Sequence, residues 1–154
     1  LRFRPEDLGA KRPRSAPSTP PIVGRWKHGR SVIAIERTGQ EDGRTTVVGR
    51  YERVDARRQV LGYQPDDVTF RGTLDGSVLR GTIRVRARDP RCSNLEPQTV
   101  PFRCVVHPDG EVISAHWYGA RLIDAEQGCV LLDQTHGRSF TLVRLPDTPE
   151  TEND

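Results

Sequence analysis

Methionine is absent from the 154 residues and lysine nearly so: of 24 positive side chains only Lys11 and Lys27 are lysine, the other 22 being arginine. Such an Arg-for-Lys bias is expected of a GC-rich coding sequence, and a bacterial source is the expectation. Hydrophobic residues are scarce at 34%, and no apolar run approaches the roughly 20 residues a membrane-spanning helix needs. An apolar leader segment is likewise missing, and the chain opens Leu1-Arg2-Phe3-Arg4. That opening suggests a piece of a longer product, with residues 1–21 leading to an upstream domain. Helical periodicity is hard to find. With 12 prolines and 14 glycines, this excludes a coiled coil and argues against a helical bundle.

Catalytic signatures are missing too. The chain carries no G-x-S-x-G elbow, no phosphate-cradling glycine loop and no H-E-x-x-H. His28, His107, His116 and His136 fall in separate segments, none spaced to chelate a metal, so neither a metal nor another cofactor is expected. The His107/Asp109 pair spans a turn and reads as turn chemistry. The expectation is a non-enzymatic binding domain; the alternative is an accessory domain or subunit of an enzyme whose chemical residues are scattered along the chain.

The formal charge of +3 is unevenly spread. Residues 1–21 hold five prolines and a net +3, and read as an extended linker. Residues 146–154 carry Asp147, Glu150, Glu152 and Asp154 and read as an acidic tail. The folded body is then 22–145, near enough to charge balance to argue against nucleic acid as partner.

Within that body, period-2 alternation dominates. It predicts eight strands, at 31–37, 45–54, 67–74, 77–86, 101–107, 111–118, 129–133 and 138–145. Turn signals at Gly39 through Gly43, Asp75-Gly76, Pro108-Asp109-Gly110 and His136-Gly137 separate them. Short turns between neighbours make a single antiparallel meander. Eight such strands can close into a barrel, with an open sheet or β-sandwich as the alternatives. A two-residue Asp75-Gly76 turn would oppose Gly72 to Leu79 and Phe70 to Gly81, each glycine beneath a large apolar residue. Arg71, Arg80, Arg84 and Arg86 then line the outward face, Arg71 against Arg80 and Asp67 against Arg84. This row is the candidate surface for an anion or a protein partner; an anion- or nucleic-acid-binding domain using it is a further alternative, disfavoured for nucleic acid because aromatics are not interleaved.

Three cysteines are too few for a disulfide scaffold. Cys104 alternates with Phe102 and Val106 and reads as a small core hydrophobe. Cys92 and Cys129 both adjoin loops and form the best pair if one bridge exists. A bridge favours an extracytoplasmic setting, periplasmic or secreted; three reduced thiols would mean the cytoplasm.

Gly24-Arg25-Trp26 opens the body, and Phe140, Leu142 and Arg144 share one face of the last strand. A G-x-W at the first strand with an Arg on the closing strand resembles the structural signature of lipocalin-like, or calycin, barrels. Lys27-His28-Gly29 departs from it, following the Trp where that superfamily continues an apolar strand. The resemblance implies that Arg144 packs over Trp26 at a closed end, and that a small apolar ligand is held inside through an open mouth. Ile33, Ile35, Tyr51, Phe70, Leu79, Ile83, Phe102 and Trp117 are the inward candidates, with Tyr51, Phe70, Phe102 and Trp117 as ligand contacts. The same residues could equally fill the interior of an eight-stranded barrel.

Overall fold

Every alternating segment becomes a strand in the computed structural model, which describes residues 21–146. The strands are β1 (Gly24–His28), β2 (Ser31–Glu41), β3 (Arg44–Arg53), β4 (Val68–Asp75), β5 (Val78–Val85), β6 (Gln98–Val106), β7 (Val112–Asp124) and β8 (Val130–Arg144). Each pairs antiparallel with the next, and β8 returns to pair with β1 through Trp26↔Arg144 and Lys27↔Val143. The meander is therefore a closed barrel with no unpaired edge, neither an open sheet nor a sandwich. A single helical turn, α1 (Ala56–Gln59), lies between β3 and β4. No helix among the described residues is long and apolar enough to cross a membrane. Apart from Pro21 and Pro146, the linker expected over 1–21 and the tail expected over 146–154 lie outside the described residues.

The strand number agrees with the alternation, but two strands differ in identity. Gly24–His28 is itself a strand, too short and too interrupted by Lys27 to show a period. The segments 129–133 and 138–145 belong to one continuous strand. His136-Gly137 is not a turn there, because β7 runs on to Asp124 and supplies a partner, Ala120↔His136. Gly137 lies against the Trp117 carbonyl and the Tyr118 Cα, where an added Cβ would collide. It marks a close backbone approach. Irregularities at Trp117/Ala120 and Arg121/Ile123 break the alternation that would otherwise show the long strand.

The β4–β5 hairpin also corrects the expected register. Its pairs are Phe70↔Ile83, Gly72↔Gly81, Leu74↔Leu79 and Asp75↔Val78, so Gly76-Ser77 forms the turn and the register slips by two residues. An even slip preserves the faces, so Phe70, Leu79 and Ile83 still point inward. The pairing of glycine with large residues does not survive. Gly72 and Gly81 oppose each other, their backbones too close for either to carry a Cβ. The ring of Phe70 instead covers Gly49 on β3, its cross-strand partner. Arg71 opposes Thr82 and Arg80 opposes Thr73, which removes the expected Arg71–Arg80 clash. Arg80 meets Arg103 on β6 instead, and Arg84 meets Thr99. Asp67 lies outside the hairpin ladder.

The core is the barrel interior: Ile33, Ile35, Val47, Tyr51, Phe70, Leu79, Ile83, Phe102, Cys104, Ile113, Trp117 and Leu142 are all buried. Strand direction gives the barrel two unlike ends. The β2–β3, β4–β5 and β6–β7 turns gather at one end with the start of β1. Here Trp26 is fully buried, its indole Nε1 donating to the Ile22 carbonyl at 2.9 Å, and the Arg144 guanidinium lies 4.3 Å from its ring centroid. Arg144 also donates to the carbonyls of Gly110, at 2.7 Å, and Pro21, which ties the segment entering β1 to the end of β8 over this closed end. The opposite end carries the longer β3–β4 and β5–β6 connections and the overhanging tip of the β7–β8 hairpin. Cys92 and Cys129 are disulfide-bonded, joining the β5–β6 loop to that tip. Cys104 is free and buried.

Candidate functional site

The interior is not filled at the second end. A cavity of about 450 Å³ opens there, within the range of small-molecule sites. Its wall is built by alternation: Ile33 from β2, Tyr51 from β3, Phe70 from β4, Ile83 and Val85 from β5, Trp117 from β7 and Phe140 from β8. Tyr51, Phe70 and Trp117, expected as ligand contacts, all line it. Phe102, expected with them, does not. It packs in the core between Phe70 and Phe140, with ring centroids 4.8 and 6.2 Å away.

The mouth is polar, and its chemistry comes from the connections. Asp55 caps α1, accepting from the Arg58 amide at 2.9 Å. The same carboxylate accepts from the Ser31 hydroxyl at 2.8 Å and from Arg58 Nη1 at 2.6 Å. Burial opposes the ionisation of Asp55. The hydrogen bonds from the Arg58 amide and Ser31, together with the Arg58 charge, outweigh it and hold the carboxyl below its usual range. Arg58 is thereby fixed in place and reaches His28, its Nη2 lying 3.2 Å from His28 Nε2 and its Nη1 donating to the His28 carbonyl.

An arginine can only donate, so Nε2 of His28 is the acceptor and the ring proton sits on Nδ1. That buried Nδ1 has no hydrogen-bond partner among the described residues. Burial first, then the Arg58 charge, lowers the His28 pKa to about 4 against a smaller opposing effect of Asp55, so the ring is neutral at pH 7. It lies over Phe140 with centroids 4.7 Å apart. Burial, reinforced by Tyr63, likewise raises the pKa of the Tyr51 phenol and keeps it neutral. The inner wall is thus uncharged.

The rim is charged. Six of the residues bordering the cavity are arginines, Arg57, Arg58, Arg84, Arg86, Arg88 and Arg138, and none is Asp or Glu. Arg86 leaves the end of β5, donates to the Leu95 carbonyl and lies 6.0 Å from the Tyr63 ring centroid. It therefore does not continue the outward row with Arg71, Arg80 and Arg84, which the sequence pattern places together; those three are exposed on the barrel wall. Arg57, Arg88 and Arg138 were not singled out from the sequence, because they lie in or beside irregular connections where no period points at a shared site. Their proximity shows in the electrostatics: burial, then Arg138 and Arg57, lower the pKa of Arg88.

The disulfide anchors this rim. Pro90, beside Cys92, borders the cavity, and the 3₁₀ turn Pro90–Cys92 is held to the β7–β8 tip by the bridge and by Arg91, which pairs with Asp89 and Glu126. No group of three or more His, Cys, Asp or Glu among the described residues is placed to hold a metal ion. His107 bonds Ser114, His116 bonds Ser139, and His136 bonds the Ala120 carbonyl, each in its own locality. Comparison with known proteins finds no match among family models, curated proteins or solved structures.

Proposed function

We propose that the domain is a non-enzymatic carrier or sensor module that binds one small, largely apolar molecule inside the barrel through the arginine-rimmed mouth. The single observation that carries this reading is the 450 Å³ cavity lined by Ile33, Tyr51, Phe70, Ile83, Trp117 and Phe140, beneath a rim tethered by a disulfide. Closely packed interiors hold few voids larger than a water, so a cavity of this size at one end departs from simple core filling. The two unlike ends support the resemblance to lipocalin-like barrels, since Arg144 covers Trp26 where that signature requires a closed end. The disulfide fits a periplasmic or secreted setting.

The test uses phenylnaphthylamine, an uncharged dye that fluoresces when held in an apolar site. Saturable uptake of one dye per chain, lost in Val85→Trp, which fills the cavity from β5, is the expected result. No saturable uptake, or uptake unchanged in Val85→Trp, would overturn the proposal.

A further inference from the structure

The rim of the cavity carries a charge the fold does not use. A barrel that needed only to admit an apolar molecule would be served by a mixed polar rim, and this chain has 21 carboxylates from which to build one. Among the described residues no carboxylate lines the cavity, Asp55 standing behind Arg58, while six arginines do. Two of these have structural employment, Arg58 bound to Asp55 at 2.6 Å and Arg86 lying by Tyr63, and Arg84 stands on the outer barrel wall. Arg57, Arg88 and Arg138 come from three different parts of the chain, and none has an ion-pair or hydrogen-bond partner among the described residues. Like charges gathered this way repel, and the downward pull on Arg88 from Arg138 and Arg57 is that repulsion. Such a cluster is relieved by an anion.

We propose that Arg57, Arg88 and Arg138 form the head-group site for the cavity's ligand, which is therefore an amphipathic acid: an apolar body inside the barrel and a carboxylate or phosphate at the mouth. The guanidinium fork matches both oxyanions, and its charge-assisted hydrogen bonds are stronger than neutral ones. Depth and charge are ordered correctly for such a molecule. The inner wall has no ionised group, since His28 and Tyr51 are both held neutral, while positive charge begins at the rim. A buried anion deep in the barrel would be costly, but one at the rim keeps part of its hydration and meets three cations. This assignment rests on the cavity reading above and adds the ligand's charge and direction of entry.

Calorimetric titration with decanoic acid, decyl phosphate and decanol at pH 7 separates the two. The expected result is that both acids bind roughly tenfold or more tightly than decanol. Their advantage shrinks as salt is added. Arg88→Gln with Arg138→Gln should bring the acids down to the affinity of decanol and leave decanol unchanged. Both side chains are exposed and unpaired among the described residues, so the double variant should melt at the wild-type temperature. Arg71→Gln, on the outer wall, serves as control and should change nothing. A preference for only one of the two acids identifies its head group and still supports the site. Equal binding of all three compounds, or an acid preference that survives the double variant or vanishes in Arg71→Gln, would refute the head-group site while leaving the cavity reading intact. Failure of all three to bind would refute the cavity reading, and the head-group site with it.

Discussion

The Arg144 guanidinium lies 4.3 Å from the centre of the Trp26 ring, and the two residues are also backbone partners across the seam that closes the barrel. One contact thus joins first strand to last and covers a fully buried indole. A cation over Trp contributes up to about 2 kcal/mol when desolvated. Arg144 also satisfies the Gly110 carbonyl at 2.7 Å, a further ~1 kcal/mol. Arg144→Ala should therefore lower unfolding stability by about 2–3 kcal/mol in urea titration. A loss under about 0.5 kcal/mol would mean that the barrel closes without this contact.

The disulfide closes a loop with a sequence separation of 37, which in the chain-entropy treatment adds about 3–4 kcal/mol. Reduction should lower stability by that order, and because the bond holds Pro90 at the mouth it should weaken ligand uptake more than Arg144→Ala does. Cys104 is buried, and burial pushes its thiol up to about 12. Alkylation without reductant should label no thiol in the native protein and one after unfolding, as read by intact mass. Three labels after unfolding would exclude the bridge.

Acid should destabilise the fold in two separable steps. His28 has a folded pKa lowered to about 4, so the unfolded chain takes up its proton first, near the ordinary value of 6.5. Stability is complete above pH 6.5 and falls as the pH drops toward 4, by about 3 kcal/mol at the upper limit. Asp55 is depressed, so its contribution is lost only at lower pH, as the carboxylate itself is protonated. Chemical denaturation across pH 4 to 7 should show the first step in the wild type and not in His28→Gln. A slope retained in that variant would assign it to another group.

Gly49 lies directly under the Phe70 ring, where an added Cβ would come within 2.5–2.8 Å of ring atoms that also form the cavity wall. Gly49→Ala should destabilise by about 1–3 kcal/mol through overpacking and perturb dye binding, because the ring must move into the site. Gly76→Ala, in an open turn at the closed end with φ 63°, should cost about 1 kcal/mol through backbone strain alone and leave binding unchanged. Equal effects of the two on binding would contradict this division of the barrel.

Much of this barrel could be read from the residues, and the errors have a common cause. Period 2 carries which side faces in, so Tyr51, Phe70, Ile83 and Trp117 are assignable to the interior from the sequence alone. Register depends on the turn, and a turn of Gly76-Ser77 in place of Asp75-Gly76 moves every pair while leaving each face unchanged. Strand ends are worse, since the irregularities after Trp117 hid half of β7 and made Gly137 look like a turn. The site lies across this boundary. Its apolar wall sits on regular strands and was visible. Arg57, Arg88 and Arg138 sit in or beside α1, the β5–β6 connection and a bulged part of β8, where only the closed barrel brings them to one rim. The outward arginine row has a period, yet of its four members only Arg84 and Arg86 border the cavity.

The central claim, an apolar molecule held within the barrel, is tested most directly by quenching of tryptophan fluorescence with a bromine-substituted decanol. Trp117 lines the cavity, and Trp26 is sealed at the other end beneath Arg144. The account predicts saturable quenching in the wild type and no quenching of the remaining emission in Trp117→Phe, where only Trp26 reports. Absence of quenching in the wild type, or equal quenching in Trp117→Phe, would contradict it.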